Sequence, residues 1–182
     1  MALVDIEVKI EGLDEVIAKL SSVPGGAAFA LNHAIGDALT KARTQIARAA
    51  RERYNIPYGW VLKSVGRPMV AGMTGMLRVA GTKASLALFP HRDINPLGSQ
   101  VQEMISHFML LKHAFVREGK VFERPYAGAP RYPIRHLVGL SAAQMADEKK
   151  QVWPEIEKAL QATLAARLEH YISAILSGDI SL

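Results

Sequence analysis

The chain has 182 residues, of which 49% are hydrophobic and 21% charged, and its formal net charge is +5. This length and composition suit one globular domain with its own core, so we expect a single domain over residues 1–182. The sequence holds no cysteine, which excludes disulfides, cysteine-based zinc sites and thiol nucleophiles. No stretch approaches the roughly 20 apolar residues that a membrane-spanning helix requires.

The N-terminal segment predicts a strand followed by a short helix. Apolar and charged side chains alternate over residues 3–10, and this period of two is typical of a β-strand with one buried face. Gly12 interrupts the alternation, and apolar positions at helical spacing then predict a short helix over 14–21. The run Pro24-Gly25-Gly26 separates this helix from the next element.

A long helix is predicted over residues 27–53. Its apolar stripe recurs at spacings of three and four and is mostly alanine in its second half, so whatever packs there must approach closely. Pro57 ends the helix, because proline disfavours helical geometry in the residue before it. Residues 58–65 predict one more short helical turn. The stripe consists of Leu31, Ile35, Ala38 or Leu39, Ala42, Ile46 and Ala49.

The middle of the chain predicts short strands between glycines. We expect strands over 76–80 and 85–89, joined by a turn at 81–83. Residues 91–99 are expected to form a loop. Residues 100–113 fit a helix as well as a strand, and both interpretations stay open.

The next segment predicts a hairpin and then an irregular arm. Residues 114–124 predict two strands that turn at Gly119-Lys120. Three prolines and a glycine in residues 125–133 exclude regular structure there, so this stretch is expected to be an extended arm or loop.

The C-terminal part predicts two helices. Ser141 is a good N-cap for a helix that runs to about residue 151. A second long helix is expected over 154–176, ended by Gly178. Together the elements predict an α+β fold in which a small, mainly antiparallel sheet packs against two long helices, 27–53 and 154–176.

No catalytic pattern emerges from the sequence. It contains neither a phosphate-binding glycine loop nor a dinucleotide-binding glycine fingerprint. The six histidines lack the spacings of metal ligands. Ser141 lacks the second glycine of a nucleophile elbow and is better explained as a helix cap. We therefore expect no enzyme, no cofactor and no metal.

Charge is distributed unevenly along the chain. Residues 1–15 carry five acidic side chains against one lysine, a net charge of −4, whereas residues 41–67 carry a net +6 and residues 112–136 a net +4. Such regions can attract one another within or between subunits. Helical spacing places Lys41, Arg48 and Arg51 on one face of the long helix. This row is a solvated face, a subunit contact or a contact to the DNA backbone.

Residues 114–145 contain a hairpin that ends in Phe122-Glu123-Arg124, then the segment that begins with Pro133-Ile134, and then a helix with Met145. This pattern resembles the minor tail protein Z family of tailed bacteriophages and prophages. In that family a hairpin ending in Phe-x-Arg precedes a Pro-Ile-x-x-Leu-x-Gly-Pro-Ser segment and a helix that bears methionine. Leu140 stands where the family usually has proline. Upstream, Ala30-Leu31-Asn32 and the basic stretch from Arg43 to Tyr54 also resemble the family. The matching residues are Phe122, Arg124, Pro133, Ile134, Leu137, Gly139, Ser141 and Met145.

The resemblance implies a structural role in the virion. Family members act in tail completion at the head–tail joint, and related neck and tail proteins form rings, commonly hexamers. It therefore implies a homo-oligomeric ring around the DNA path, adjacent tail and neck proteins as partners, no membrane, and a location in the virion or, during assembly, the host cytoplasm. The rival interpretation is a small non-specific DNA-binding protein. Residues expected to face a neighbouring subunit are Phe122, Arg124, Tyr126, Pro133 and Ile134.

Overall fold

The computed structural model describes residues 4–8, 13–94, 97–126, 128–146 and 152–180. Within them the chain forms five α-helices, eleven strands and one short 3-10 turn, Leu86–Leu88. The helices are α1 (Leu13–Lys19), α2 (Gly26–Arg53), α3 (Tyr58–Ser64), α4 (Ala142–Ala146) and α5 (Val152–Leu176). The strands are β1 (Val4–Val8), β2 (Met69–Ala71), β3 (Thr74–Val79), β4 (Lys83–Ser85), β5 (His91–Ile94), β6 (Gly98–Met104), β7 (His107–Lys112), β8 (Ala114–Arg117), β9 (Lys120–Glu123), β10 (Arg135–His136) and β11 (Val138–Ser141).

The long helix α2 is buried on several sides. Its start faces Ile175 near the end of α5, and α5 runs antiparallel along it, while β3, α3 and α4 also pack against it. The predicted stripe is confirmed except at Ala49, which is only half-buried, whereas Ala47 and Ala50 are fully buried. Because α2 is covered on more than one face, its buried surface is wider than a single stripe.

Gly75 marks the closest approach of a strand to α2. A Cβ at this buried position would lie 2.2 Å from Cγ2 of Ile35 and 2.8 Å from Cδ1 of Leu39. No side chain fits at that distance, so the backbone of β3 lies directly on the helix. The sequence predicted a close neighbour for the alanine-rich second half of α2. The strand instead contacts α2 at Ile35 and Leu39, one to two helical turns before that half.

The strands form four small antiparallel sheets. Their orders are β1-β3-β2, β5-β6-β7, β10-β9-β8 and β11-β4. A mixed α and β architecture with antiparallel sheets and a long helix is thus confirmed. The finer expectation of one sheet on two long helices is wrong, because the described strands are divided among four sheets and three shorter helices accompany α2 and α5.

Two predictions for the middle of the chain are wrong. Residues 85–89 do not continue as a strand paired with 76–80, because the hydroxyl of Ser85 accepts the N–H of Ala87 at 3.4 Å and starts the 3-10 turn that buries Leu86 and Phe89. Most of the described part of 91–99 is strand rather than loop, because β5 and the start of β6 lie in it and pair with each other.

Residues 100–113 are extended and make a hairpin, which settles the choice left open by the sequence. Val101 pairs with Met109, and the ladder continues to Gly98 opposite Lys112. The hairpin predicted over 114–124 is also confirmed, and its turn falls at Glu118 and Gly119, with φ of 51° and 66°. Two positive φ values are those of a type I′ turn, which matches the twist of paired strands.

The remaining predicted elements lie near their expected bounds. Strand β1 pairs with β3, and the outer residues of the predicted strand over 3–10 lie outside the described part of the chain. The arm at 125–133 has no helix or strand at its described positions.

Ser141 caps α4: its hydroxyl accepts the N–H of Gln144 at 3.2 Å, and Oε1 of Gln144 accepts the N–H of Ser141 at 3.0 Å. The predicted extension of this helix over 147–151 also lies outside the described residues. Gly178, with φ 79°, follows the end of α5.

A polar contact joins the two long helices at the surface. The hydroxyl of Tyr171 on α5 donates to Oδ2 of Asp37 on α2 at 3.0 Å, and Nε of Arg167 lies 3.3 Å from the same oxygen. Burial and then the neighbouring carboxylate raise the pKa of Tyr171 above its usual value of 10.0. The neutral phenol is therefore the form that the folded chain stabilises.

We predict that Gly75→Ala lowers the free energy of unfolding by about 1–3 kcal/mol, because its methyl group would overpack the contact between β3 and α2. Gly59→Ala is the matched control, since a Cβ at Gly59 in α3 would meet no atom of another element within 4 Å. Urea unfolding followed by circular dichroism measures both. Equal stability of the two variants would show that the contact between β3 and α2 has room for a methyl group at residue 75.

We predict that Tyr171→Phe lowers the free energy of unfolding by about 1 kcal/mol near neutral pH, through loss of one hydrogen bond. The pKa of Tyr171 is higher in the folded than in the unfolded chain, so this contribution is complete below about pH 10 and is lost as pH rises through the raised pKa. The difference between wild type and variant, measured by urea unfolding at about pH 8 and about pH 11, should therefore shrink at the higher pH. A constant difference would contradict the hydrogen bond.

Candidate functional site

The predicted basic face lies on α2. Lys41, Arg48 and Arg51 are all exposed, and the seven residues from Lys41 to Arg48 span about 10 Å along the helix axis. Arg43, in the same basic stretch, has a different role. Its Nε donates to the carbonyl of Val65 at 3.1 Å and its Nη2 to the carbonyl of Leu62 at 2.9 Å. The half-buried guanidinium therefore caps the free carbonyls at the C-terminal end of α3, which is a structural role.

Arg48 and Arg51 share a cleft with Tyr58. The cleft has a volume of about 550 Å³, and Glu52 also lines it. A second cleft of about 560 Å³ adjoins it at the end of α2, where Arg51 and Tyr58 contribute to both. Two guanidinium groups and a tyrosine beside one carboxylate can bind a phosphate or a carboxylate of a partner. The second cleft is lined by Arg51, Tyr54, Asn55, Ile56, Pro57, Tyr58 and Ile105.

The first family motif, the Phe-x-Arg pair Phe122 and Arg124, lies at the end of the β8–β9 hairpin. The rings of Phe122 and Phe115 stack with centroids 5.9 Å apart, and the guanidinium of Arg124 lies 5.0 Å from the centre of Phe115. The ring centroid of His136 on β10 lies 5.5 Å from that of Phe122. This arrangement fixes the Arg124 head group by cation–π contact at the surface.

Arg124 also lines a surface cleft with Pro133 and Ile134. The cleft measures about 410 Å³, and an ion pair between Glu123 and Arg135, 2.6 Å apart, lies at its edge. Four of the five residues predicted to face a neighbour are thus close together. The fifth, Tyr126, is exposed in the same arm, at 58% of its surface.

The rest of the second motif, from Leu137 onward, makes its contacts within the chain. The N–H of Leu137 donates to the carbonyl of Val121 at 2.9 Å, and Ser141 and Met145 are fully buried. A Cβ at Gly139 would lie 2.5 Å from Oε1 of Glu103, so a larger residue here would displace that carboxylate. These motif residues therefore stabilise the fold, and Ser141 and Met145 cannot contact a neighbour in this conformation.

Leu140, the departure from the family pattern, has a role of its own. Its N–H donates to Oε1 of Glu103 at 2.7 Å. Proline has no N–H and could not make this bond. The bond attaches β11 to β6, the central strand of the β5-β6-β7 sheet.

One surface was missed by the sequence interpretation. Strand β7 and the turn before it expose a run of large apolar side chains, although β7 lies at the edge of its sheet. Because apolar residues follow one another over residues 108–111, the stretch fits a buried helix as well as a buried strand, and its exposure could not be foreseen. The exposed residues are Met104, Ile105, Phe108, Met109 and Leu110.

The described residues reveal no metal site, since no three His, Asp or Glu side chains cluster among them. No helix in the same part of the chain is long and apolar enough to span a membrane. Comparison with protein-family models, with curated proteins and with solved structures finds no match for this chain.

We predict that Arg43→Met lowers the free energy of unfolding by about 1–2 kcal/mol, because two carbonyls at the end of α3 lose a charged donor while the aliphatic stem is kept. Arg48→Met is the control on the same helix and should change stability by less than about 0.5 kcal/mol. Urea unfolding compares them. Similar losses for both variants would contradict a structural role specific to Arg43.

Proposed function

We propose that this chain is a structural virion protein of a tailed bacteriophage, which acts in tail completion or head–tail joining as a homo-oligomeric, hexameric ring around the DNA path. The observation that carries the proposal is the exposed apolar strand β7 at a sheet edge. Exposed apolar strands at sheet edges template pairing with another chain, and proteins tolerate them where a partner covers them.

A ring needs two different complementary patches on each subunit, because its interface is heterologous. Besides β7, the chain offers the cleft at Arg124, Pro133 and Ile134 and the basic face of Lys41, Arg48 and Arg51. A moderately basic surface beside a DNA channel interacts with phosphates without reading sequence. The chain thus has candidate surfaces both for neighbouring subunits and for the DNA path.

The resemblance to the minor tail protein Z family supports the same assignment. Phe122 and Arg124, at the end of the hairpin, lie at the surface with Pro133 and Ile134, which begin the second motif, whereas Ser141 and Met145 are buried in the fold. We propose that the surface part of the motif contacts adjacent subunits or adjacent tail and neck proteins, and that the mature location is the virion.

A specific observation favours the second candidate, a small non-specific DNA-binding protein. Arg48 and Arg51 flank an open cleft with Tyr58, and all three basic residues of the face are exposed. Phosphate contacts from such a face give affinity that falls steeply with salt.

We predict that the purified chain assembles into one closed species. Native mass spectrometry should give six copies of the 19.9 kDa chain, about 119 kDa. Fluorescence anisotropy with a duplex of about 30 base pairs should show weak binding by the single chain, since only a few phosphates are neutralised.

A single chain that binds this duplex with a sub-micromolar dissociation constant would support the DNA-binding candidate instead. That binding should then weaken in a variant with Lys41, Arg48 and Arg51 changed to alanine, and its logarithmic salt slope should fall by roughly 1 per removed cation.

A further inference from the structure

Strand β7 has an outer edge with no ladder partner in the described chain. Its sheet has the order β5-β6-β7, so β7 pairs with β6 on one side alone. The row of N–H and C=O groups on the other side can accept a further strand.

The sequence of β7 protects this edge only at its end. Phe108, Met109, Leu110 and Leu111 follow one another, and the strand contains no proline, no acidic residue and one lysine at its end, Lys112. Edge strands of natural proteins usually carry charges, proline or a bulge that prevents pairing. Phe108 is 57% exposed and Leu110 44%, so the edge is available and apolar.

Strand β1 provides a second edge of the opposite character. In the sheet β1-β3-β2 it pairs only with β3 among the described strands. Its five residues include Asp5 and Glu7 and no basic residue. The two edges belong to different sheets and carry charges of opposite sign.

We propose that β1 of one copy pairs antiparallel with β7 of the next copy and joins the two sheets across the subunit boundary. This inference rests on the proposed ring and names its contact. Charge sets the register by placing Lys112 opposite Asp5, since opposite charges across strands stabilise pairing. The antiparallel direction follows from length, because it lets four residues of each strand pair, whereas a parallel pair with the same two residues opposite overlaps by only two.

That register is consistent along both strands. It sets Leu110 opposite Glu7 and Leu111 opposite Ile6. Leu111 is half-buried against the core, and the partner of Ile6 in its own sheet is the fully buried Leu77. The buried face of the β5-β6-β7 sheet would then continue into the face of the other sheet that carries Leu77, and four residues of β1, Asp5 to Val8, would lie opposite four of β7, Met109 to Lys112.

Pairing of β7 with a second β7 is less favourable on the same grounds. An antiparallel pair of these strands brings no opposite charges together, because β7 contains no acidic residue. It would also give a two-fold dimer, in which the same patch is used twice, whereas β1 with β7 gives the head-to-tail contact that a ring requires.

Cysteine cross-linking tests this pairing directly, since the natural chain has no cysteine. Two single variants are made, Leu110→Cys and Glu7→Cys. Directly opposite residues of an antiparallel pair have Cα atoms about 4.5–5.5 Å apart, within the range for a disulfide. Oxidation of the mixture should give a cross-linked dimer of one chain of each kind, and each variant alone should stay uncross-linked.

A charge exchange provides the second readout. Lys112→Glu in the Leu110→Cys chain should lower the cross-linking yield about two- to fivefold, and Asp5→Lys in the Glu7→Cys chain should restore it. Glu118→Lys, in the exposed hairpin turn between β8 and β9, is the control for a charge change away from the edge and should leave the yield unchanged.

The outcomes separate the two proposals. Cross-linking of Leu110→Cys with itself, or no cross-linking of the mixture although the wild type forms a ring by mass, would overturn the β1–β7 contact and leave the ring proposal intact. A wild type that stays a single chain at the same concentration would overturn both.

Discussion

The structure depends on the close contact between helix α2 and strand β3. Gly75 leaves no room for a side chain against Ile35 and Leu39, and alanines on the other buried faces of α2 admit α5, α3 and α4 at short range. Because α2 is covered on several sides, elements that are distant in sequence pack around it and form one core. The peripheral sheets can then be small, and one of them ends in the uncovered strand β7.

A few polar contacts determine where the exposed surfaces lie. Strand β6 is tied to the end of α2, where the N–H of Asn55 donates to the carbonyl of Glu103 and the N–H of Ile105 donates to the carbonyl of Arg53. The Ile105 side chain therefore lines the same cleft as Arg51. The basic face of α2 and the turn that leads into β7 meet at this point. In the ring that we propose, a subunit contact at β7 would therefore also adjoin the basic face.

The sequence was sufficient for the elements whose periodicity is local. Both long helices, the strand at 4–8 and the hairpin at 114–123 have strong repeating patterns or turn signals, and the structure has them near the predicted bounds. The division into four sheets could not be predicted, because it depends on which strands pair across the chain, as β11 does with β4. The 3-10 turn at Leu86 came from a single side-chain bond of Ser85, which hydrophobic patterning cannot reveal.

For the site, the sequence identified the basic row and the motif residues but not their different roles. Exposure of Arg48 and Arg51 followed from helical spacing, whereas the capping role of Arg43 depends on where α3 ends. Burial of Met145 and Ser141 depends on the tertiary position of α4. The apolar run of β7 was equally compatible with a buried strand or helix, so only the sheet order revealed an exposed edge.

Amide hydrogen exchange on the assembled and the dissociated chain tests the central claim most directly, because strand pairing protects the backbone itself. The account predicts that amides of residues 107–112 and 4–8 gain protection together on assembly, while the exposed turn at Glu118 and Gly119 does not change. An assembled species in which both edges exchange as fast as in the single chain would contradict it.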